Sequence, residues 1–150
     1  KVEDDFHARF SAKEREYEYY LVKSYSTITR KYATELQWEI NPNLLIDCAN
    51  ILQGENDFTS FCKATAETEN KICTIYKAGW EDMGEKYIFR IRANRFLQHM
   101  VRYLVGTMLE VARGRYKLRD FKYLMDGSQT EAVVVRAPAQ GLFLKKVYYD

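Results

Sequence analysis

The sequence predicts an α+β fold: a mainly antiparallel sheet with helices packed on one face. Three stretches carry that expectation. Arg15 to Val22 alternates strictly, with Arg15, Tyr17, Tyr19 and Leu21 on one side and Glu16, Glu18, Tyr20 and Val22 on the other. That is the period of a strand. Lys71–Glu81 and Lys86–Ala93 are two more strand-like runs around DMGE, a hairpin turn. Phe96 to Arg113 is apolar almost all round at helical spacing, as in a helix buried within a domain. Strands interleaved with helices, with a hairpin between them, give the α+β class.

The remaining elements follow in order. Residues 25–35 are rich in Ser and Thr and are expected as loop, with Leu36–Ile40 as a short strand. Pro42 opens a helix through Leu44, Leu45, Cys48, Ile51 and Leu52, and Gly54 stops it. Residues 55–70 are expected as an excursion with one helical turn. Gly114 closes the long helix. A further helix covers Leu118–Met125, and Leu142–Tyr149 forms the last strand. The 150 residues suit one domain, with no internal repeat or linker.

Composition narrows the function. The chain is 47% hydrophobic and 29% charged, which excludes a disordered segment. Its net charge of +2 does not by itself require a nucleic-acid partner. Basic residues nevertheless gather at Arg90, Arg92, Arg95, Arg102, Arg113, Arg115, Lys117 and Arg119. The 12 tyrosines suit half-buried strands, and also surfaces on which bases stack. Three cysteines without CxxC spacing and two histidines make no zinc set, and reduced thiols in a cytoplasmic protein are expected. No run reaches transmembrane length. The chain opens on Lys1 and not Met, as expected of a piece of a longer protein or of a processed one.

On the long helix, His99, Arg102, Gly106, Glu110 and Arg113 recur every three or four residues as a polar stripe. An arginine there keeps its charge, so it needs an anion or a route to water. A neighbouring carboxylate would satisfy it; so would a catalytic carboxylate or an RNA phosphate. Gly106 lets another backbone or a ligand come close. Tyr17 alone is core packing, and Ala139-Gln140-Gly141-Leu142 alone is a turn entering a strand.

Four blocks change that weighting: FHARFSAKEREYEYYL, GENDFTSFCK, IRANRFLQHMVRYLVGTMLEVARGR and APAQGLFLKKVYY, in this order across nearly the whole chain. Together they resemble the TruA family of tRNA pseudouridine synthases. The resemblance implies an RRM- or ferredoxin-like half of such an enzyme, residues 1–150 being its C-terminal domain. It implies isomerisation of uridine to pseudouridine in the tRNA anticodon stem-loop, without metal or nucleotide cofactor, by a homodimer. It assigns Tyr17 to stacking on the target base, and to a part in proton transfer. It assigns Arg102 to the catalytic aspartate and Leu142 to the wall of the base pocket. Arg90 and Arg92, on the open sheet face, are expected to hold phosphates in a basic cleft.

Two departures stand out. The family's aspartate lies in a GRTDxGVHA-like motif upstream of FHARFS, and no aspartate here matches it. The chain is therefore expected to lack the half that carries it and to be inactive alone. Before the last strand, DGSQTEAVVV stands where the family often has DRTxAG. Two competing readings remain. One is a non-catalytic RNA-binding module, against which KYIFRIRA lacks the RNP1 pattern. The other is a purely structural or dimerising domain.

Overall fold

The structure is a computed structural model and describes residues 11–63, 68–127 and 132–150. Six strands and three helices follow in the order β1 (Glu14–Val22), β2 (Thr34–Glu35), α1 (Pro42–Ile51), β3 (Gly54–Asp57), β4 (Ile72–Asp82), β5 (Lys86–Ala93), α2 (Met100–Ala112), α3 (Leu118–Asp126) and β6 (Leu142–Tyr148). One sheet runs β2-β1-β5-β4-β3, with β6 also on β1. Only β1–β2 is parallel. Strand β5 covers one side of β1. Along the other side, β6 takes Glu14–Tyr19 and β2 takes Leu21–Val22. The α+β expectation holds.

The strand pleat separates two chemically different faces. Tyr19, Leu21, Phe89 and Ile91 point into the core with α1, α2 and α3. On the opposite face glutamates alternate with arginines. Arg90 pairs with Glu18 at 3.3 Å and also with Glu81, Lys145 approaches Glu18 at 3.7 Å, and Arg92 lies 3.2 Å from Glu14. The Arg92 Nε–H is not aimed at that oxygen and makes no hydrogen bond. Burial raises the Glu18 pKa, but hydrogen bonds from Tyr20 and Arg90 and the charges of Lys145 and Arg90 outweigh it and hold the carboxyl below its usual range. The open face is therefore charge-balanced, not the basic cleft expected, because β1 supplies a glutamate opposite each arginine of β5.

Several element limits differ from expectation. The long helix starts at Met100, not Phe96. His99 takes a left-handed backbone, φ +64°, and Phe96 turns away to meet Tyr17. Leu36–Ile40 forms no strand; after Leu36 N–H bonds Val22 O at 2.9 Å the chain leaves the sheet and Trp38 stacks on Arg113 at 3.7 Å. Gly54 opens strand β3 instead of only ending a helix, and Phe58 and Phe61 anchor the single helical turn that follows. Asn41, whose Oδ1 accepts the Asn43 N–H at 3.1 Å, caps α1.

Helix α2 is the axis of the core: all of its residues except Arg102 and Tyr103 are buried. Residues 132–138 lie across it as a strap. Val135 N–H donates to Thr107 Oγ1 at 3.0 Å, and Ala137 N–H to Arg102 O at 3.0 Å. The strap passes so close that a Cβ on Gly106 would sit 2.0 Å from Val135 O. Gly106 was expected to admit a backbone, and it does. The strap is tied to the sheet by fully buried Tyr19, whose hydroxyl donates to Pro138 O at 2.6 Å and lies 2.8 Å from Thr34 Oγ1. Burial, partly offset by Thr34 and Arg102, pushes the Tyr19 pKa up to about 12, so it stays neutral at physiological pH.

Two outcomes test this scheme. Gly106→Ala is expected to destabilise by about 1–3 kcal/mol or more, because backbone must move. Gly79→Ala, with nothing within 4 Å of the added carbon, is expected to change far less. Urea midpoints of the two variants decide it. Tyr19→Phe leaves the Pro138 carbonyl without its donor and is expected to cost about 1–3 kcal/mol in the same assay.

Candidate active site

The site forms where β5 ends and α2 begins. At Ala93 the chain leaves the sheet, opposite Arg15 of β1. Asn94 then locks the exit: its N–H donates to Thr74 O at 3.1 Å and its Oδ1 accepts from Thr74 N–H at 2.9 Å. Phe96 follows and meets the Tyr17 ring edge-on, centroids 5.0 Å apart. Tyr17 is half-buried, and its hydroxyl has no hydrogen-bond partner among the described residues. Its ring is thus held at one edge while its polar end is uncommitted.

Arg102 lies in the first turn of α2 and is half-buried. Its Nε donates to Ala137 O at 2.8 Å. No carboxylate among the described residues pairs with it. The neighbouring carboxylate that could have satisfied it is thus absent among the described residues. The carbonyl fixes the plane of the guanidinium by one nitrogen and leaves its terminal nitrogens for an anion.

Tyr17 and Arg102 belong to the same side of the sheet. Tyr19, two residues along β1 on the face of Tyr17, bonds Pro138 O, while Arg102 bonds the adjacent Ala137 O. Tyr19 and Arg102 are also close enough to interact electrostatically. Leu142 is half-buried and pairs in register with Tyr19, not with Tyr17. The partner of Tyr17 is Leu144, 54% exposed, which the sequence reading missed. That pairing continues the regular antiparallel register from Tyr19–Leu142 and Glu18–Phe143, which ends at a shift between Tyr17 and Glu16, and such register is invisible in one sequence. Arg90 and Arg92 are not brought to this site; they lie on the opposite face among carboxylates.

Three further basic groups were not singled out as a set. His99 precedes α2 and carries the left-handed backbone. Burial, then the charges of Arg102, Arg136 and Lys63, hold its pKa below the usual value of 6.5. The αL signal at a non-glycine residue had no sequence cue, and Arg136 sits in a strap whose path only the fold reveals. Asp4, Asp5 and the FHARF portion lie outside the described residues, as does part of DGSQTEAVVV. Among the described aspartates, Asp57 accepts the Thr59 N–H, Asp82 the Gly84 N–H and Asp120 the Lys117 N–H. They serve as turn and cap residues away from Arg102.

Comparison with known proteins gives the family. Residues 48–150 match a family model described as tRNA pseudouridine synthase. A relative from Chlorobium limicola, named tRNA pseudouridine synthase A, is 41% identical over 145 residues, covering 97% of this chain and 60% of the relative. Relatives of the same name from Bacillus pumilus and Bacillus subtilis are 36% and 37% identical, covering 100% and 99% of this chain and 62% and 61% of their own lengths. The chain thus spans about three-fifths of the length of the relatives it matches. With this match along its length, the chain belongs to the tRNA pseudouridine synthase family.

Proposed function

We propose that this chain is the part of a tRNA pseudouridine synthase that holds the target uracil and positions a catalytic aspartate supplied from outside its 150 residues. The observation that carries the reading is Arg102. A permanently charged guanidinium is fixed by one carbonyl, has no carboxylate among the described residues, and shares the side of the sheet that bears Tyr17. The reaction needs such a group. The N1–C1′ bond of uridine breaks, the detached base turns, and C5 bonds to C1′. The proton on C5 leaves and N1 ends protonated, so the change is an isomerisation. An aspartate acting on the sugar must be ionised, and an adjacent arginine favours that form.

A uridine stacked in RNA cannot meet these groups, so it has to be turned out and held by an aromatic face. Tyr17 supplies that face and a free hydroxyl beside it, and Leu142 and Leu144 line the adjoining strand. Chemistry by positioned carboxylate, phenol and guanidinium requires no metal or nucleotide cofactor. The reading implies tRNA as substrate, a homodimeric enzyme and a cytoplasmic location. Among the described residues no helix is long and apolar enough to cross a membrane.

Tritium release from tRNA carrying 5-tritiated uridine tests the proposal. The chain alone is expected to release none. Mixed with the portion of the Bacillus subtilis relative that it does not match, it is expected to release tritium. Release by the chain alone would overturn the external aspartate. Binding without release by the folded mixture would favour a non-catalytic RNA-binding module. In the active mixture, Arg102→Ala and Tyr17→Phe are each expected to lower turnover by about 100-fold or more, with far smaller changes in tRNA affinity.

A further inference from the structure

Arg102 is not the only cation at the start of α2. Three separate segments meet there, and each brings a basic side chain. Lys63 N–H donates to Gln98 O at 3.2 Å, which brings the turn after Phe61 beside His99. His99 caps the helix in its left-handed conformation, and its ring lies edge-on to Tyr103 at 6.4 Å. Arg136 stands in the strap between Val135, which crosses Gly106, and Ala137, which is bonded to Arg102 in both directions. The strap has no other course at this contact, so Arg136 is delivered to the same end of α2.

No carboxylate among the described residues pairs with Lys63, His99, Arg102 or Arg136. The contrast with the opposite face is informative, because there Arg90 and Arg92 face Glu18, Glu81 and Glu14. Like charges gathered without counter-charge repel one another, and an arriving anion relieves that repulsion. Lys63, His99 and Arg102 are half-exposed and Arg136 is exposed, so the group is open to a macromolecule. The first turn of α2 carries no acidic residue and no side-chain cap, so its backbone dipole adds to the positive field.

We infer that Lys63, His99 and Arg136 form a phosphate subsite beside Arg102, taking the RNA backbone phosphate next to the nucleotide presented to Tyr17. This rests on the proposed RNA-modifying function. The division of labour is chemical. Arg102, fixed by Ala137, serves the reacting centre, while the three neighbours grip the backbone and set how far the nucleotide swings out. His99 adds a proton link. The groups facing it are Arg102 on α2, Arg136 on the strap and Lys63 on the turn, all positive, so in the free protein it is neutral near physiological pH. A docked phosphate favours the imidazolium, raises its pKa, and makes binding take up a proton. Affinity should then rise as pH falls through the raised pKa of the bound state and level off once His99, its own pKa below the usual 6.5, is charged in the free protein as well.

The test uses the active mixture described above and an anticodon stem-loop RNA. Dissociation constants are measured across a salt series and a pH series, alongside tritium release. Lys63→Gln with Arg136→Gln is expected to weaken binding by about tenfold or more. It is also expected to reduce the slope of log affinity against log salt by about one. His99→Gln is expected to flatten the pH dependence while leaving the salt slope at pH 8 unchanged. Arg90→Gln, on the opposite face, is the control and should leave both slopes unchanged. Unaltered affinity and salt slope in the double variant would overturn the subsite, even with turnover reduced, since that pattern means these cations serve the aspartate and not the RNA. Failure of the unsubstituted mixture to bind RNA would overturn the function itself.

Discussion

The contact between Gly106 and the backbone of Val135 organises the functional end of the molecule. A strap can lie on a helix at that distance only where the helix has no side chain, so residues 132–138 are pinned at one position along α2. From that pin the rest follows by short steps. Ala137 comes level with Arg102 and exchanges hydrogen bonds with it in both directions. Pro138 comes level with Tyr19 and accepts its buried hydroxyl. Gly141 then lies against the Tyr19 ring, where an added carbon would meet ring atoms at 2.8 Å, and β6 starts in register with β1. One glycine in a helix and one in a turn thus set where the arginine, the tyrosines and the last strand stand relative to one another.

The sheet divides its electrostatic duties between its faces. On the open face, charges are matched across strands and along them, and the ion pairs are partly exposed, so each adds little net stability. That matching removes the long-range field that a row of arginines would otherwise project. At the start of α2 the opposite rule holds. Cations from three segments gather with no carboxylate among the described residues, and the backbone geometry that gathers them includes the only non-glycine residue with positive φ among those described. Unrelieved charge beside a residue of uncommon backbone conformation is a combination that a fold retains where function requires it. At a net charge of +2, it is the distribution and not the total that sets this end apart as the side suited to a polyanion.

Much of this was legible in the sequence, and the omissions have physical causes. Alternation along Arg15–Val22 and Lys86–Ala93 separated the two sheet faces correctly, since strand periodicity is local. The burial of α2 followed from its apolar circumference, and the close approach at Gly106 from a lone glycine on it. The charge matching of Arg90 and Arg92 was within reach, because Glu14, Glu16 and Glu18 alternate on β1 in the same way, but pairing between strands is not a local property. The register that sets Leu144 and not Leu142 opposite Tyr17 has no signature in one strand alone. The strap carries no periodic pattern, so only its path over α2 places Arg136.

Why the guanidinium of Arg102 is held by a backbone carbonyl and not by a carboxylate has a physical answer. A carboxylate partner inside the fold would neutralise the charge and occupy the terminal nitrogens, leaving nothing with which to hold the aspartate of the proposed function. A carbonyl accepts one hydrogen bond, fixes the plane and leaves the full positive charge available. The carbonyl belongs to Ala137, held by its own N–H to the same residue's backbone, so the acceptor cannot drift from the donor. Tyr19, its pKa pushed up to about 12, steadies the adjacent Pro138 without adding a competing anion at physiological pH. The arginine is thereby rigid and electrostatically unspent, which is the preorganisation that stabilisation of a developing or fixed negative charge requires.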